Sequence, residues 1–164
     1  MRALPVDEEF VHTAKARAVA EREMAVSAEQ VFATLEDGPS WSKWVPVIRE
    51  VTWTSPKPFA TGTTRTVALL RGISVDELYW AWEPNRRMGF SVAVTNIGWI
   101  DALAEDYHVI PMSAERCNLR WTFAVSFRGP SSKVEPLVTR VLPAVQRQLL
   151  KKLERVAGER SVHA

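Results

Sequence analysis

The stretch that decides the fold is SSKVEPLVTRVLPAVQRQLLKKLERVAGER, which occupies residues 131–160. Its apolar residues recur at helical spacing, and most of its lysines and arginines lie off the resulting stripe. Such a broad apolar face predicts a long helix that packs against another layer, with Pro143 inside it and Gly158 as its stop. The stripe comprises Val134, Leu137, Val138, Val141, Val145, Leu149, Leu153 and Val156.

The residues before this helix have the period of β-strands. In RCNLRWTFAVSF, residues 116–127, apolar side chains alternate with mostly polar ones, which is typical of a sheet with one buried and one solvated side. Similar runs between residues 47 and 111 are rich in Val, Thr and aromatic residues and are bounded by Gly, Pro, Asn or Ser. The run over 98–111 would also suit a helix. Short connections favour antiparallel pairing.

The beginning of the chain adds one strand and two short helices to this pattern. Residues 16–26 have the composition of a strand. Ser27 followed by Gln30 forms a capping box, which predicts a helix that ends near Gly38. Trp41 and Trp44 then stand at helical spacing. The predicted order is one strand, two short helices, about six strands and a long helix, which is an α+β fold.

Composition excludes several classes of function. The chain has 164 residues and 21 basic against 19 acidic side chains, so its net charge of +2 does not indicate nucleic-acid binding. Its single cysteine excludes an intramolecular disulfide, and no metal-ligand spacing, phosphate loop or dinucleotide motif is present, so we expect neither metal nor cofactor. Without a bilayer-length apolar run, and with acids in place of a signal-peptide core, we expect a cytoplasmic protein without membrane insertion.

Several stretches together resemble the START-like helix-grip superfamily, also called SRPBCC or polyketide cyclase/dehydrase-like proteins. The resemblance covers nearly the whole chain. It rests on MAVSAEQVFATLED (24–37), SWSKWVP (40–46), GTTRTVALLRG (62–72), VDELYWAWEPNRRMGFSV (75–92) and NLRWTFAVSF (118–127).

The resemblance implies a strongly curved antiparallel sheet of about seven strands wrapped around the C-terminal helix, with two short helices after the first strand. It implies one domain over residues 16–158. The flanking residues themselves predict a polar lead-in over 1–15 and a loose C-terminus over 159–164 that includes His163. It also implies an apolar cavity between the sheet and the long helix.

The first functional hypothesis is that this cavity binds a small, largely apolar molecule. The resemblance places Trp41 and Trp44 near the cavity mouth, whereas a simpler interpretation makes Trp44 a core plug between the short helices and the sheet. The sequence leaves open whether the cavity is filled by its own aromatic residues, and whether the protein forms a homodimer. The predicted lining comprises Phe32, Trp41, Trp44, Phe90, Val92, Tyr107, Trp121, Phe123, Leu137, Val141 and Val145.

An alternative hypothesis is an aromatase/cyclase or dehydratase-like enzyme. Asp101, Glu105 and Tyr107 share strand parity, so an inward-facing Glu105 would act as a general acid or base beside Tyr107; the other interpretation is that these acids pair with arginines. Glu77 is a third catalytic candidate, but strand parity does not decide whether it or the adjacent tryptophans face the core. His108 has the opposite parity and is expected on the outer face.

A third hypothesis is a protein-interaction module, and an exposed Trp80 or Trp82 would be its signature.

Overall fold

The computed structural model describes residues 1–160 of the chain. The predicted loose C-terminus over 159–164 lies largely outside the described residues, and His163 lies outside them. The helices are α1 Phe10–Thr13, α2 Ala28–Glu36, α3 Trp41–Trp44 and α4 Glu135–Glu159. The strands are β1 Arg2–Ala3, β2 Ala16–Met24, β3 Ile48–Trp53, β4 Thr64–Leu69, β5 Ser74–Glu83, β6 Arg87–Thr95, β7 Ile100–Ser113 and β8 Arg116–Phe127.

One antiparallel sheet organises the fold, with strand order β2-β8-β7-β6-β5-β4-β3. The short β1 pairs with the end of β6 and brings the described sheet to eight strands. The predicted helix-grip architecture, with about seven strands and two short helices after the first long strand, is therefore confirmed. The run over 98–111 forms most of β7. It is therefore a strand and not the helix that its sequence also allowed.

The first short helix begins where its sequence predicts. The Ser27 hydroxyl accepts a hydrogen bond from the Gln30 N–H, and the Gln30 side chain accepts one from the Ser27 N–H. This reciprocal cap satisfies two donors that the first helical turn would leave unpaired. Residues 1–15 also pack on the sheet, since Leu4 and Val11 are buried.

The long helix α4 is buried over only its second half. Leu150, Leu153 and Val156 are buried in the core, and α4 packs mainly along β2. The Glu154 carboxylate fixes this contact by accepting hydrogen bonds from the Arg22 side chain and the Ala25 N–H. The helix continues through Pro143 without interruption.

Over its first half, the apolar stripe of α4 is not covered by the sheet. Leu137, Val141 and Val145 are 60%, 47% and 45% exposed. The continuous stripe predicted from the sequence therefore divides into a buried half and an open half. No helix within residues 1–160 has the length and apolar character needed to cross a bilayer.

Candidate functional site

An apolar groove lies between the open half of α4 and the inner face of β7 and β8. Its volume is about 360 Å³. The rings of Trp99 and Phe127 lie 5.6 Å apart at one end of it. Its walls are formed by Trp99, Ile100, Leu103, Phe123, Val125, Phe127, Leu137, Val138, Val141, Leu142 and Val145.

Four of the predicted ligand-binding residues lie in this groove: Phe123, Leu137, Val141 and Val145. Sequence reasoning missed the wall contributed by the start of β7. Ile100 and Leu103 were visible there as apolar residues, but a helix remained an option for that run. The groove exists because an amphipathic helix leaves its apolar face open above an apolar strand face.

The other predicted lining residues fill the interior instead. Trp44 is fully buried, with its ring 4.9 Å from that of Trp41 and 5.8 Å from that of Trp121. Trp41 is also buried and donates its indole N–H to the Leu35 carbonyl. Both tryptophan side chains are thus packed in the core between the short helices and the sheet, and neither lies at the mouth of a cavity. Phe90, Val92, Tyr107 and Trp121 are buried as well.

Phe32 belongs to a different surface. It borders a more polar groove of about 590 Å³ that also includes Lys57, Phe59 and Trp82. Trp82 is almost entirely buried, and Trp80 donates its indole N–H to the Ser91 hydroxyl on the outer face. The exposed tryptophan expected of an interaction module is therefore not found at either position.

A buried ion pair lies between neighbouring strands in the interior. The Arg65 Nε and the Glu77 Oε2 are 2.5 Å apart, and both side chains are almost completely inaccessible. The guanidinium carbon lies 4.1 Å from the centre of the Trp41 ring. Burial alone would lower the pKa of Arg65, but the Glu77 carboxylate holds that pKa above its usual value. Arg65 therefore stays charged inside the core.

Glu77 and Trp82 both face inward because β5 contains a bulge between them. Tyr79 pairs with Phe90 and Ala81 with Gly89, so Trp80 is the extra residue in β5. Residues on both sides of the bulge can then face the core, which explains why Glu77 and Trp82 are both buried. From the sequence, either Glu77 or Trp82 was expected to face the core. In a regular strand, residues 77 and 82 would lie on opposite faces.

Glu105 lies beside the groove residues Leu103 and Phe123 without forming part of the groove walls. It stands directly across from Phe123 in the β7–β8 ladder, while Leu103 pairs with Val125 and Tyr107 with Trp121. Its Oε2 accepts a hydrogen bond of 2.6 Å from the Tyr107 hydroxyl and one of 2.8 Å from the Trp121 indole N–H. The Glu105 residue is nonetheless only partly buried.

Burial changes the chemistry of this carboxyl group. It raises the pKa of Glu105 from 4.5 to about 7, although the hydrogen bond from Tyr107 opposes the shift. Burial likewise raises the pKa of Tyr107 well above its usual value, so its hydroxyl stays protonated. A carboxyl group that titrates near neutrality can both donate and accept a proton.

The remaining acidic candidate does not join this cluster. Asp101 is exposed and lies 3.2 Å from Arg128 and 3.8 Å from Arg2. Ile100 pairs with Phe127 and Ala102 with Ser126, so Asp101 is the extra residue of a bulge. The parity argument that placed Asp101 inward with Glu105 is therefore wrong. Asp101 instead pairs with arginines, as in the alternative interpretation. The His108 Nε2 lies 3.0 Å from the Asp106 Oδ2. Both residues have the strand parity opposite to that of Glu105.

Two buried polar residues of the interior were missed in the sequence. Arg65 has the strand parity of the buried Val67, and this was a readable signal of an inward-facing cation. Gln146 interrupts the apolar stripe of α4 and is completely buried. No group of three or more metal-binding side chains occurs within residues 1–160.

Comparison with known proteins places the chain in a sequence family. Residues 15–158 match the profile of a family described as "Polyketide cyclase / dehydrase and lipid transport". An uncharacterized protein of Mycobacterium tuberculosis is 38% identical over 138 residues, which span 84% of this chain and 82% of the relative. The family match supports a ligand-binding or cyclase role.

Solved structures show the same fold at low identity. A START superfamily protein from Mycobacterium smegmatis has a TM-score of 0.72 and 14% identity over 87% of this chain and 97% of its own. The Zhui aromatase/cyclase of a Streptomyces species has a TM-score of 0.63 and 16% identity over 87% of this chain and 92% of its own. At such identities the likeness establishes the fold alone.

Proposed function

The chain belongs to the polyketide cyclase/dehydrase and lipid transport family, and from this premise we propose that it binds a small hydrophobic molecule in the groove between α4 and β7–β8. The observation that carries the proposal is the uncovered apolar face of Leu137, Val141 and Val145 opposite apolar strand residues. Exposed apolar surface of this kind is stabilised when a ligand removes it from water.

The chemistry of the lining defines the kind of ligand. The groove walls are apolar throughout, so ligand carbon would be buried at about 25 cal/mol per Å² before the costs of association. A lipid, an aromatic metabolite or a polyketide-like compound would fit such a surface. The predicted ligand contacts outside the groove remain predictions. Phe32 would contact a ligand in the more polar groove. The core would have to open for a ligand to reach the buried side chains of Trp41, Trp44, Phe90, Val92, Tyr107 and Trp121.

A charge placed in the groove wall tests this site. We expect Val141→Asp to weaken binding of 2-methylnaphthalene by about tenfold or more, because the ligand would have to desolvate a carboxylate. Thr139→Asp is the control, since Thr139 is exposed and lies on nearly the opposite face of the same helix. Affinity is measured by titrating methyl-labelled protein and following Val and Leu resonances by NMR. Equal loss in the two variants would contradict the site.

A second candidate function is acid–base catalysis by Glu105. The observation that favours it is a carboxyl group with a pKa of about 7 beside Phe123 and Leu103 of the groove. Tyr107 holds this group through its hydroxyl hydrogen bond and would orient it toward an enolisable or dehydrating substrate. Positioned proton transfer of this kind contributes about 10²–10⁴-fold to a rate.

The base can be tested without knowledge of the natural substrate. We expect the protein to accelerate ring opening of 5-nitrobenzisoxazole, with a rate that rises through about pH 7 as Glu105 loses its proton. Glu105→Gln should abolish the acceleration while 2-methylnaphthalene still binds. Glu115→Gln, at an exposed position, is the control. Acceleration that survives Glu105→Gln would exclude this residue as the base.

A further inference from the structure

Polar groups from three elements adjoin the apolar walls of the groove. On β7, Glu105 follows the groove residue Leu103 on the same face and pairs with the groove residue Phe123. On β8, Trp121 precedes Phe123 by two residues and pairs with Tyr107. On α4, Gln146 lies one helical turn beyond Leu142 and therefore on the same face. The apolar wall on each element is thus followed by a polar group at this end of the groove.

These three residues form a single hydrogen-bonded network. The Gln146 side-chain amide donates to the Trp121 backbone carbonyl at 3.3 Å, and the Trp121 indole N–H donates to Glu105 Oε2. Because a backbone carbonyl can only accept, the Nε2 atom of Gln146 must face it. This fixes the orientation of the amide and leaves Oε1 on the other side.

The network has unused acceptors. Gln146 is completely buried, and its Oε1 has no hydrogen-bond partner within residues 1–160. The two hydrogen bonds that the Glu105 carboxyl group accepts from described residues both go to Oε2, so Oε1 of this partly buried side chain can accept from a further partner. Buried acceptors without partners are uncommon in folded proteins, because each one costs the free energy of its lost hydration. A donor supplied by a ligand would remove that cost.

The charges around this end of the groove disfavour an anionic head group. The buried cation Arg65 is paired with Glu77 and packed against Trp41, and although its Nη1 has no hydrogen-bond partner within residues 1–160, Arg65 does not line the groove. An anion that entered along the groove would instead meet the Glu105 carboxyl group and the Gln146 amide oxygen. A neutral hydroxyl group would donate to either oxygen and would place its apolar body against the groove walls.

We propose that Glu105, Trp121 and Gln146 form a head-group site that selects hydrophobic molecules carrying a neutral hydroxyl group, such as phenols or long-chain alcohols, over carboxylates. This inference rests on the proposed function, because the apolar body of the same ligand occupies the groove. Gln146 contributes an acceptor and Glu105 supplies both an acceptor and, when ionised, a barrier to anions.

Three naphthalenes of similar size test the head-group site: 2-naphthol, 2-methylnaphthalene and 2-naphthoate. The first two compounds differ only in carrying a hydroxyl or a methyl group. The ratio of their affinities therefore measures the contribution of the hydroxyl hydrogen bond. We expect Gln146→Leu to lower the affinity for 2-naphthol by about five- to tenfold, as for one lost hydrogen bond. The affinity for 2-methylnaphthalene should stay the same or increase. At pH 8, 2-naphthoate should bind at least tenfold more weakly than 2-naphthol, and Glu105→Gln should narrow this gap.

The control for the helix substitution is Gln148→Leu, which makes the same change at an exposed position two residues away. If Gln146→Leu does not fold, the Glu105→Gln comparison still decides the inference. Equal effects of Gln146→Leu on 2-naphthol and 2-methylnaphthalene, or tighter binding of 2-naphthoate than of 2-naphthol, would overturn the head-group site and leave the groove intact. If none of the three compounds shifts the groove resonances, the proposed function and this inference both fail.

Discussion

Replacement of Glu77 by alanine is expected to lower the free energy of unfolding by about 3–5 kcal/mol, the largest effect anticipated for any single residue here. The reason is that Arg65 would remain charged inside the core with its principal partner removed. Its Nε lies 2.5 Å from Glu77 Oε2, and its Nη1 has no hydrogen-bond partner among residues 1–160 even with Glu77 present. Urea denaturation of the variant and of the unmodified protein at pH 7 gives this difference.

A double substitution separates the buried charge from simple loss of packing. Arg65→Met combined with Glu77→Leu removes both charges and keeps apolar volume, and we expect it to be close to neutral or stabilising. Glu50→Ala serves as the surface control, because Glu50 is exposed on β3 and its loss should change stability by no more than about 0.5 kcal/mol. A Glu77→Ala variant as stable as the Glu50→Ala control would show that Arg65 is not held as a buried cation.

The stability of the protein should fall as the pH rises from about 4.5 to 7, and Glu105 should be a principal cause. Folding raises the pKa of this carboxyl group from 4.5 to about 7, so the folded protein keeps a proton that the unfolded chain releases. Unfolding therefore releases a proton in this window, which favours the unfolded state as the pH increases. The corresponding loss is about 3 kcal/mol between pH 4.5 and 8.

Glu105→Gln isolates that contribution, because glutamine keeps an oxygen that can accept from Tyr107 and Trp121 but does not titrate. Urea denaturation at pH 4.5 and pH 8 should show a smaller loss of stability for this variant than for the unmodified protein. Glu115→Gln, at an exposed position, should retain the full pH dependence. Identical pH dependence in the Glu105→Gln variant and the unmodified protein would mean that the Glu105 carboxyl group titrates like a solvated one.

The secondary structure was largely predictable because each element carries a local signal. The Ser27–Gln30 cap fixes the start of α2, and the alternation from Cys117 to Phe127 fixes the strand and buried face of β8. These signals depend on neighbouring residues in the chain. Their order along the sequence predicted an α+β fold, and the resemblance to the START-like superfamily identified it as a helix-grip architecture.

Two bulges explain the limits of the prediction for polar residues. Strand parity assumes that residues alternate strictly between faces, and one inserted residue reverses the assignment for everything beyond it. The bulge at Trp80 places both Glu77 and Trp82 inside, and the bulge at Asp101 separates that residue from Glu105. Bulges arise from pairing with the neighbouring strand, which the sequence of one strand does not encode.

The spacing of apolar residues also could not predict where the groove lies. The stripe from Val134 to Val156 is continuous in sequence, yet only its C-terminal part is covered by the sheet. Where a helix leaves a curved sheet depends on the path of the sheet, not on the helix itself. The same limit applies to Trp41 and Trp44, whose spacing predicted a helical turn but not the depth at which that turn is buried.

The central claim, that the uncovered half of α4 and the β7–β8 face enclose an apolar ligand, is tested most directly by locating a bound probe. Intermolecular nuclear Overhauser effects between 2-methylnaphthalene and methyl-labelled protein provide that location. We predict cross-peaks to the methyl groups of Leu103, Val125 and Leu142, which lie on the three walls of the groove. Cross-peaks confined to the methyl group of Ala33, in the more polar surface groove, would contradict it.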